Sequence, residues 1–86
     1  MKTLKILVRK NLKMSTGKTA SQCVHAALGL YINSPLKIYD KCIVLEVSDK
    51  KFEEAKNKCK EFYIVIDAGY TEVEPHTETA MSWYEE

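Results

Sequence analysis

A lysine, an amide and an imidazole are spaced along this sequence so that a helix would bring them onto one face. Lys18, Gln22 and His25 stand four and three residues apart, which is the spacing of neighbours on a helical surface. Gly17 lies directly before Lys18 and lets a ligand approach the backbone closely. These residues predict a site that binds a phosphate and orients a polar substrate. Taken singly, Gln22 also fits an exposed helix former, and His25 fits a histidine satisfied by a backbone carbonyl.

The stretch around Lys18 joins an apolar run to a helical pattern, and such a junction attracts anions. Leu4–Arg9 is short, apolar and flanked by charge, which predicts a buried strand. Ser15 or Thr16 can cap the helix that follows, because a hydroxyl oxygen accepts a hydrogen bond from an unpaired N–H of the first turn. The helix N-terminus also carries the positive end of the helix dipole. An anion is therefore expected here, with Lys18 adding a full positive charge.

The residues from Ser15 to Thr19 match part of a nucleotide-binding P-loop, but the rest of that motif is missing. A P-loop needs a glycine five residues before the glycine of its Gly-Lys pair, and that position is Leu12. No glycine precedes Gly17 anywhere in the chain. Since such a loop cannot wrap phosphates, the sequence excludes nucleotide hydrolysis.

A carboxylate is expected opposite this junction, at the end of a third apolar run. Asp67 follows that run and stands two residues before Gly69. An acidic residue at the carboxyl end of a strand in an α/β sheet points into the crevice where ligands bind. Thr71 and Thr79 can add hydroxyl groups nearby, and Lys13 belongs to the same edge if the first and third strands are parallel. Asp67 alone also fits a turn-forming aspartate.

Several other reaction types find no support in the sequence. No second carboxylate accompanies Asp67 in a motif-like arrangement, which leaves a glycosidase pair unsupported. No serine sits in a glycine-flanked elbow, and Cys23 falls in the middle of a helix, so a serine or cysteine hydrolase is not indicated. No two histidines have the spacing of helical metal ligands, and the three cysteines form no Cys-x-x-Cys pair. We expect neither a metal nor a cofactor.

The composition indicates one small domain in a reducing compartment. A chain of 86 residues, 45% of them hydrophobic, suffices for a single domain over residues 1–86. No apolar run is long enough for a membrane span and the cysteines are odd in number, so we expect a cytoplasmic protein with reduced thiols. The net charge is +1, but the charges are unevenly distributed: residues 1–18 are basic and residues 72–86 are acidic. These segments form either a basic surface on one side or solvated faces.

Alternating strand and helix patterns predict an α/β fold, with one sheet flanked by helices in three layers and parallel pairing through right-handed crossovers. The predicted order is strand, helix, strand, helix, strand, strand, over residues 4–9, 18–32, 42–47, 49–59, 62–67 and 79–83. The first helix would bury an apolar stripe made of Ala20, Cys23, Val24, Ala27, Leu28 and Tyr31. Pro35 ends that helix, and Pro75 places the extended residues 71–75 at an edge or in a loop. Residues 84–86 form a polar end prone to fraying.

Three motifs in this order resemble those of the archaeal and eukaryotic type of peptidyl-tRNA hydrolase. The first is Lys13-Met14-x-x-Gly17-Lys18-x-x-x-Gln22-Cys23-x-His25-Ala26-Ala27, which follows Leu7-Val8-Arg9. The second is Asp67-Ala68-Gly69-x-Thr71, and the third is Pro75-x-x-x-Thr79. The resemblance runs from about Leu4 to Thr79, and joined motifs at ordered spacings make it specific.

The resemblance implies a single α/β domain with a mixed four-stranded sheet that hydrolyses peptidyl-tRNA. Enzymes of that family cleave the ester between a peptide and the 3′ end of tRNA, without a metal. The resemblance places catalysis at Lys18, His25, Asp67 and Thr71, and substrate binding at Lys13, Gly17, Gln22 and Thr79. In this interpretation Asp67 orients or deprotonates a water, and Lys18 keeps Asp67 ionised or stabilises the oxyanion. The basic segment would contact the tRNA backbone.

The chain departs from the family's pattern in three places. Ile66 stands where glutamine usually precedes the Asp-Ala-Gly motif, and His76 stands where glycine usually follows the proline of the third motif. The family continues with a strand end and a final helix, whereas this sequence ends at Glu86. We expect the missing helix to uncover one face of the sheet, through which two copies pair using Trp83 and Tyr84. The alternative to the enzyme is a catalytically inactive RNA- or protein-binding module on the same scaffold.

Overall fold

The first apolar run forms strand β1, Thr3–Arg9, in the interior of a sheet. The computed structural model describes residues 2–34, 39–69 and 72–86. Leu4, Ile6 and Val8 are buried in one cluster, and Leu7 is buried in another. Alternate side chains of a strand point to opposite faces, so the sheet carries a packed layer on each side.

Three further strands in the described part of the chain complete a mixed sheet: β2 (Lys41–Val47), β3 (Tyr63–Ile66) and β4 (Glu78–Glu85). Their order across the sheet is β2-β1-β4-β3. β1 is parallel to β2, with Ile6 opposite Val44, and antiparallel to β4, with Ile6 opposite Ser82. Because β3 is also antiparallel to β4, β1 and β3 run the same way and end at the same edge. The predicted mixed four-stranded sheet is confirmed.

Helix α1 spans Thr16–Asn33 and begins at the predicted junction. Ser15 caps it, because its Oγ accepts a hydrogen bond from the Lys18 N–H at 3.2 Å. A short 3₁₀ turn, Lys10–Leu12, joins β1 to this cap and is followed by Lys13 in the left-handed region, with φ 53°. The chain therefore passes directly from the central strand to the start of the helix.

The face of α1 that packs on the sheet differs from the predicted apolar stripe. The buried residues are Gln22, Ala26, Gly29 and Leu30. The predicted stripe is wrong for Ala20, Val24, Leu28 and Tyr31, which are exposed. Gly29 supplies the physical reason: a Cβ there would lie 2.1 Å from the Tyr63 ring, so the helix can approach the strand this closely only where it carries no side chain.

Helix α2, Asp49–Lys58, covers the opposite face of the sheet and is capped by the Ser48 hydroxyl. Phe52 is 1% exposed and forms a buried cluster with Leu7 and Met81. The predicted arrangement of helix, sheet and helix is confirmed. No helix among the described residues is both long enough and apolar enough to cross a membrane.

The last strand is longer than the sequence predicts. β4 runs to Glu85, and Tyr84 pairs with Leu4, so the predicted frayed end is wrong for residues 84 and 85. Tyr84 also stacks on Tyr39, with ring centroids 6.5 Å apart. Before β4, residues 72–76 form bends and a turn, which is the loop alternative rather than an extended strand.

Candidate active site

A lysine and an aspartate from distant parts of the chain form an ion pair at one edge of the sheet. Lys18 Nζ lies 2.5 Å from Asp67 Oδ1. The first turn of α1 supplies Lys18, and Asp67 directly follows β3. The two side chains are only 12% and 8% exposed, so little water competes with their interaction. They meet because α1 follows β1, and β1 and β3 end at the same edge.

The carboxylate of Asp67 is held on both of its oxygens. Its Oδ2 accepts the Gly69 N–H at 2.6 Å. The Asp67 N–H donates to the Thr77 carbonyl at 2.9 Å, and the Asp67 carbonyl accepts the His76 N–H at 2.7 Å. Hydrogen bonds from Lys18 and from the Gly69 backbone favour the charged form and hold the pKa of Asp67 below its ordinary value. Asp67 is therefore ionised at neutral pH.

Gly69 shapes the turn that presents Asp67. Its φ of +84° lies in the left-handed region, which glycine adopts without steric cost. A Cβ at this position would also lie 2.6 Å from the Pro75 ring. The glycine of the second motif thus packs directly on the proline of the third motif, which explains why both belong to one site.

A second carboxylate, Glu72, connects the segment after β3 to the start of α1. Its Oε1 accepts the Ser15 N–H at 2.7 Å, and its Oε2 accepts the Ser15 hydroxyl at 2.5 Å. These two hydrogen bonds lower the pKa of Glu72. Sequence reasoning missed this residue, because its partner is 57 residues away and no local pattern marks it.

Gln22 and Thr79 form a hydrogen bond beneath α1, with the Thr79 hydroxyl donating to Gln22 Oε1. They are 2% and 0% exposed, so each satisfies the other inside the core. The three residues of the predicted stripe, Lys18, Gln22 and His25, therefore differ in burial. Gln22 turns toward the sheet, whereas His25 stays exposed.

A cleft of about 600 Å³ opens beside the ion pair, between α1 and β3. Lys18, Gln22 and His25 line it from the helix, and Asp67 lines it from the sheet. The remaining walls are largely apolar, formed by Ser21, Leu28, Gly29, Ile32, Tyr63, Val65, Ile66 and Ala68. One cavity therefore presents an ammonium, a carboxylate and an imidazole next to an apolar surface.

The other predicted site residues lie elsewhere. Lys13 and Gly17 are exposed and do not line the cleft, and Thr79 is buried behind Gln22 and does not line it either. Nothing described lies within 4 Å of a Cβ placed on Gly17, so packing does not explain the glycine. Thr71 falls outside the described residues. Within the described ranges, His, Cys, Asp and Glu side chains form no group that could hold a metal ion.

The fold and the cleft define a class: a small α/β domain whose mixed sheet places a shielded Lys–Asp ion pair in the wall of a cleft. Residues 2–83 match the family model of peptidyl-tRNA hydrolase PTH2. The chain belongs to this family, and the resemblance of its motifs is confirmed over most of its length.

Individual relatives come from both archaea and eukaryotes. A peptidyl-tRNA hydrolase of Methanopyrus kandleri is 37% identical over 88% of this chain and 78% of its own length. One from Thermoplasma acidophilum is also 37% identical, over 94% of this chain and 82% of its own length. The mitochondrial peptidyl-tRNA hydrolase 2 of Mus musculus is 33% identical, and the match spans 50% of that longer protein.

Proposed function

We propose that this chain hydrolyses the ester bond of peptidyl-tRNA and releases free tRNA and peptide. The observation that carries the proposal is the Lys18–Asp67 ion pair in the wall of the cleft, in a chain that belongs to the PTH2 family. The relatives are named for this reaction. Ester hydrolysis needs an oriented water and a positive group near the carbonyl oxygen, and the cleft has residues for both.

The pKa of Asp67 favours one of its two roles. A general base works best when its pKa lies near the working pH. Hydrogen bonds from Lys18 and from the Gly69 backbone instead lower the pKa of Asp67. The carboxylate is therefore a weak base and a good hydrogen-bond acceptor, so we assign it the orientation of the attacking water.

Lys18 is the group that we assign to the oxyanion. Negative charge develops on the carbonyl oxygen as water adds to the ester, and an ammonium in a site with little water stabilises it strongly. Asp67 holds Lys18 Nζ at the cleft wall. His25 lines the same cleft and offers a further polar contact for the substrate. A role for Thr71 stays a prediction.

The test is release of labelled peptide from peptidyl-tRNA in the presence of EDTA. We expect the wild-type protein to hydrolyse this substrate. The rates of Asp67→Asn and Lys18→Ala should be lower by about a hundredfold or more, as when one oxyanion-stabilising group is lost. Lys58→Ala and Glu61→Gln are matched controls, because both residues are exposed and neither lines the cleft. They should retain wild-type activity.

Each unfavourable outcome has a distinct meaning. No turnover by folded wild-type protein overturns the function and favours an RNA- or protein-binding module on the same scaffold. Equal turnover by wild type and both site variants keeps the function but removes this site. Activity that EDTA abolishes contradicts the proposal that the reaction needs no metal.

We propose the cytoplasm as the place of this activity. Cys23, Cys42 and Cys59 are free thiols, a state typical of a reducing compartment. Burial raises the pKa of Cys23 and of Cys59, which lowers the fraction of reactive thiolate at neutral pH. Cell fractionation should recover the protein in the cytosolic fraction, and recovery with an organelle would contradict this assignment.

We also propose that two copies pair through the exposed edge of the sheet. β2 is an outer strand, and its Val44 and Leu45 are 46% and 44% exposed on its two faces. An exposed apolar edge strand is prone to pair with another strand. Trp83 and Tyr84 are half-buried against the two cores of this chain, which makes β2 the better contact. Light scattering should give a dimer mass for wild type and a monomer mass for Val44→Lys, and a monomeric wild type would contradict this.

A further inference from the structure

The cleft beside the Lys18–Asp67 ion pair has an apolar half. Leu28 and Ile32 lie one turn apart on α1 and are 54% and 73% exposed. Ile66 lines the same cleft from β3 and is 59% exposed. Large apolar side chains are common singly on protein surfaces, but a group of them inside one cleft marks a binding surface.

Close packing between α1 and β3 forms the base of this half. Gly29 is buried, and a Cβ on it would lie 2.1 Å from ring carbon Cε2 of Tyr63. This contact sets how far apart the helix and the strand lie, so the width of the cleft is a property of the packed core. We call this surface the apolar groove; it consists of Leu28, Ile32, Tyr63 and Ile66.

The apolar groove leads away from the ion pair along α1. Lys18 is in the first turn, and Leu28 is further along the helix by about 15 Å at 1.5 Å per residue. That length matches about four residues of extended peptide. Ile66 directly precedes Asp67, so it brings the apolar surface up to the carboxylate.

We propose that the apolar groove binds the peptide part of the substrate and favours an apolar side chain on the esterified residue. This inference rests on the proposed function. Charge favours the peptide over the tRNA, because phosphates need cations. Among the described residues, the cleft is lined by two basic side chains, Lys18 and His25. An apolar surface instead gains by covering apolar side chains.

Ile66 is the groove residue nearest to the reaction in sequence. The family resemblance predicts glutamine at this position, whose amide would offer hydrogen bonds. The exposed isoleucine offers only apolar contact next to Asp67. We therefore assign Ile66 to the side chain of the esterified residue, and Leu28 to the peptide residues that precede it.

The test compares two substrates that differ in one side chain: the same tRNA acylated with N-acetyl-leucine or with N-acetyl-glycine. The wild-type kcat/KM should be about tenfold higher for the leucyl substrate, within the range for an apolar side chain in a pocket. Ile66→Ala should move that ratio toward one, because it should lower kcat/KM for the leucyl substrate more than for the glycyl substrate. Val24→Ala is the matched control, because Val24 is 55% exposed on the same helix and does not line the cleft.

Two outcomes would overturn the inference. The first is a wild-type ratio near one, and the second is a ratio that the folded Ile66→Ala variant leaves unchanged. If that variant loses activity equally on both substrates, the groove is assigned to the shared terminal adenosine instead. If wild type cleaves neither substrate, the proposed function fails and this inference fails with it. If wild type cleaves both substrates with equal kcat/KM, the proposed function stands and only the assignment of the groove fails.

Discussion

Asp67 and Glu72 show how the neighbours of a carboxylate determine what it can do. Asp67 pairs with the ammonium of Lys18 in the cleft wall, whereas Glu72 accepts two hydrogen bonds from Ser15. Donors lower the pKa of both residues. Of the two, only Asp67 lines the cleft. Asp67 can therefore contact a substrate, whereas Glu72 holds the start of α1 in place through Ser15.

The pH dependence of stability should report the ionisation of Asp67. Its folded-state pKa lies below the ordinary value of 3.8, so the ionised carboxylate stabilises the fold above that value, and this contribution is lost as pH falls through the folded pKa. The difference in unfolding temperature between wild type and Asp67→Asn should stay constant from about pH 7 to 5 and shrink below about pH 4. Thermal unfolding followed by circular dichroism measures it. A difference that already shrinks near neutral pH would contradict the lowered pKa.

Among the elements, the start of α1 and the segment between β3 and β4 are joined at two places. Lys18 binds Asp67 where β3 ends, and Ser15 binds Glu72 further along the segment. The segment is closed at its base by the Asp67 N–H, which donates to the Thr77 carbonyl. Ser15 also accepts the Lys18 N–H. Glu72 therefore positions the turn that carries Lys18.

Replacing Glu72 should lower activity without unfolding the protein. Glu72→Ala removes both acceptors from Ser15, and the loosened helix start should reduce kcat by roughly tenfold, with a smaller effect on KM. Glu72→Gln keeps one acceptor oxygen and should recover part of the loss. Steady-state kinetics on peptidyl-tRNA, with thermal unfolding alongside, measures this.

Glu74→Ala is the control for that experiment, since Glu74 is exposed in the same segment. It should behave like wild type. Equal activity of the Glu72→Ala and Glu74→Ala proteins would remove the positioning role. If the unfolded fraction of the Glu72→Ala protein accounts for its whole loss of activity, Glu72 contributes to stability alone.

For the molecule as a whole, most of the basic N-terminal segment is neutralised by carboxylates. Residues 1–18 contain six cations, and four of them form ion pairs: Lys2, Lys5, Arg9 and Lys18. Glu85 and Glu86 of the acidic segment supply two of the partners, because β4 is antiparallel to β1. Within the described residues, Lys10 and Lys13 are exposed and form no ion pair. The two charged segments therefore meet, and the unpaired cations of the basic segment lie in the turn after β1.

Binding of tRNA should consequently depend on salt only to a modest degree. If Lys10 and Lys13 contact about two phosphates, the logarithm of the binding constant should fall with the logarithm of salt with a slope of about −1.5 to −2. Lys10→Ala or Lys13→Ala should each reduce that slope by about one. Fluorescence anisotropy with labelled tRNA over a salt series measures it, with Lys58→Ala as the control. A much steeper slope would show that cations other than Lys10 and Lys13 also contact RNA.

Local signals in the sequence predicted the elements well. Ser15, one of the two predicted candidates, caps α1, because capping depends on residues within one turn, and Ser48 caps α2 in the same way. The predicted length of β4 was wrong because the end of this strand depends on a contact that is distant in sequence. Tyr84 is ordered by pairing with Leu4 at the other end of the chain, and its own neighbours carry no sign of that contact.

The order of strands and helices, together with the motifs, was enough to bring Lys18 and Asp67 to one sheet edge and to indicate the family. It could not show that Gln22 turns inward to Thr79, that Glu72 holds Ser15, or that the cleft continues into an apolar groove. Those features depend on how closely α1 approaches the sheet, which Gly29 and Tyr63 set across a long sequence separation. Periodicity reports which side chains share a face of a helix. Only the packed elements establish which face is buried and what the remaining one meets.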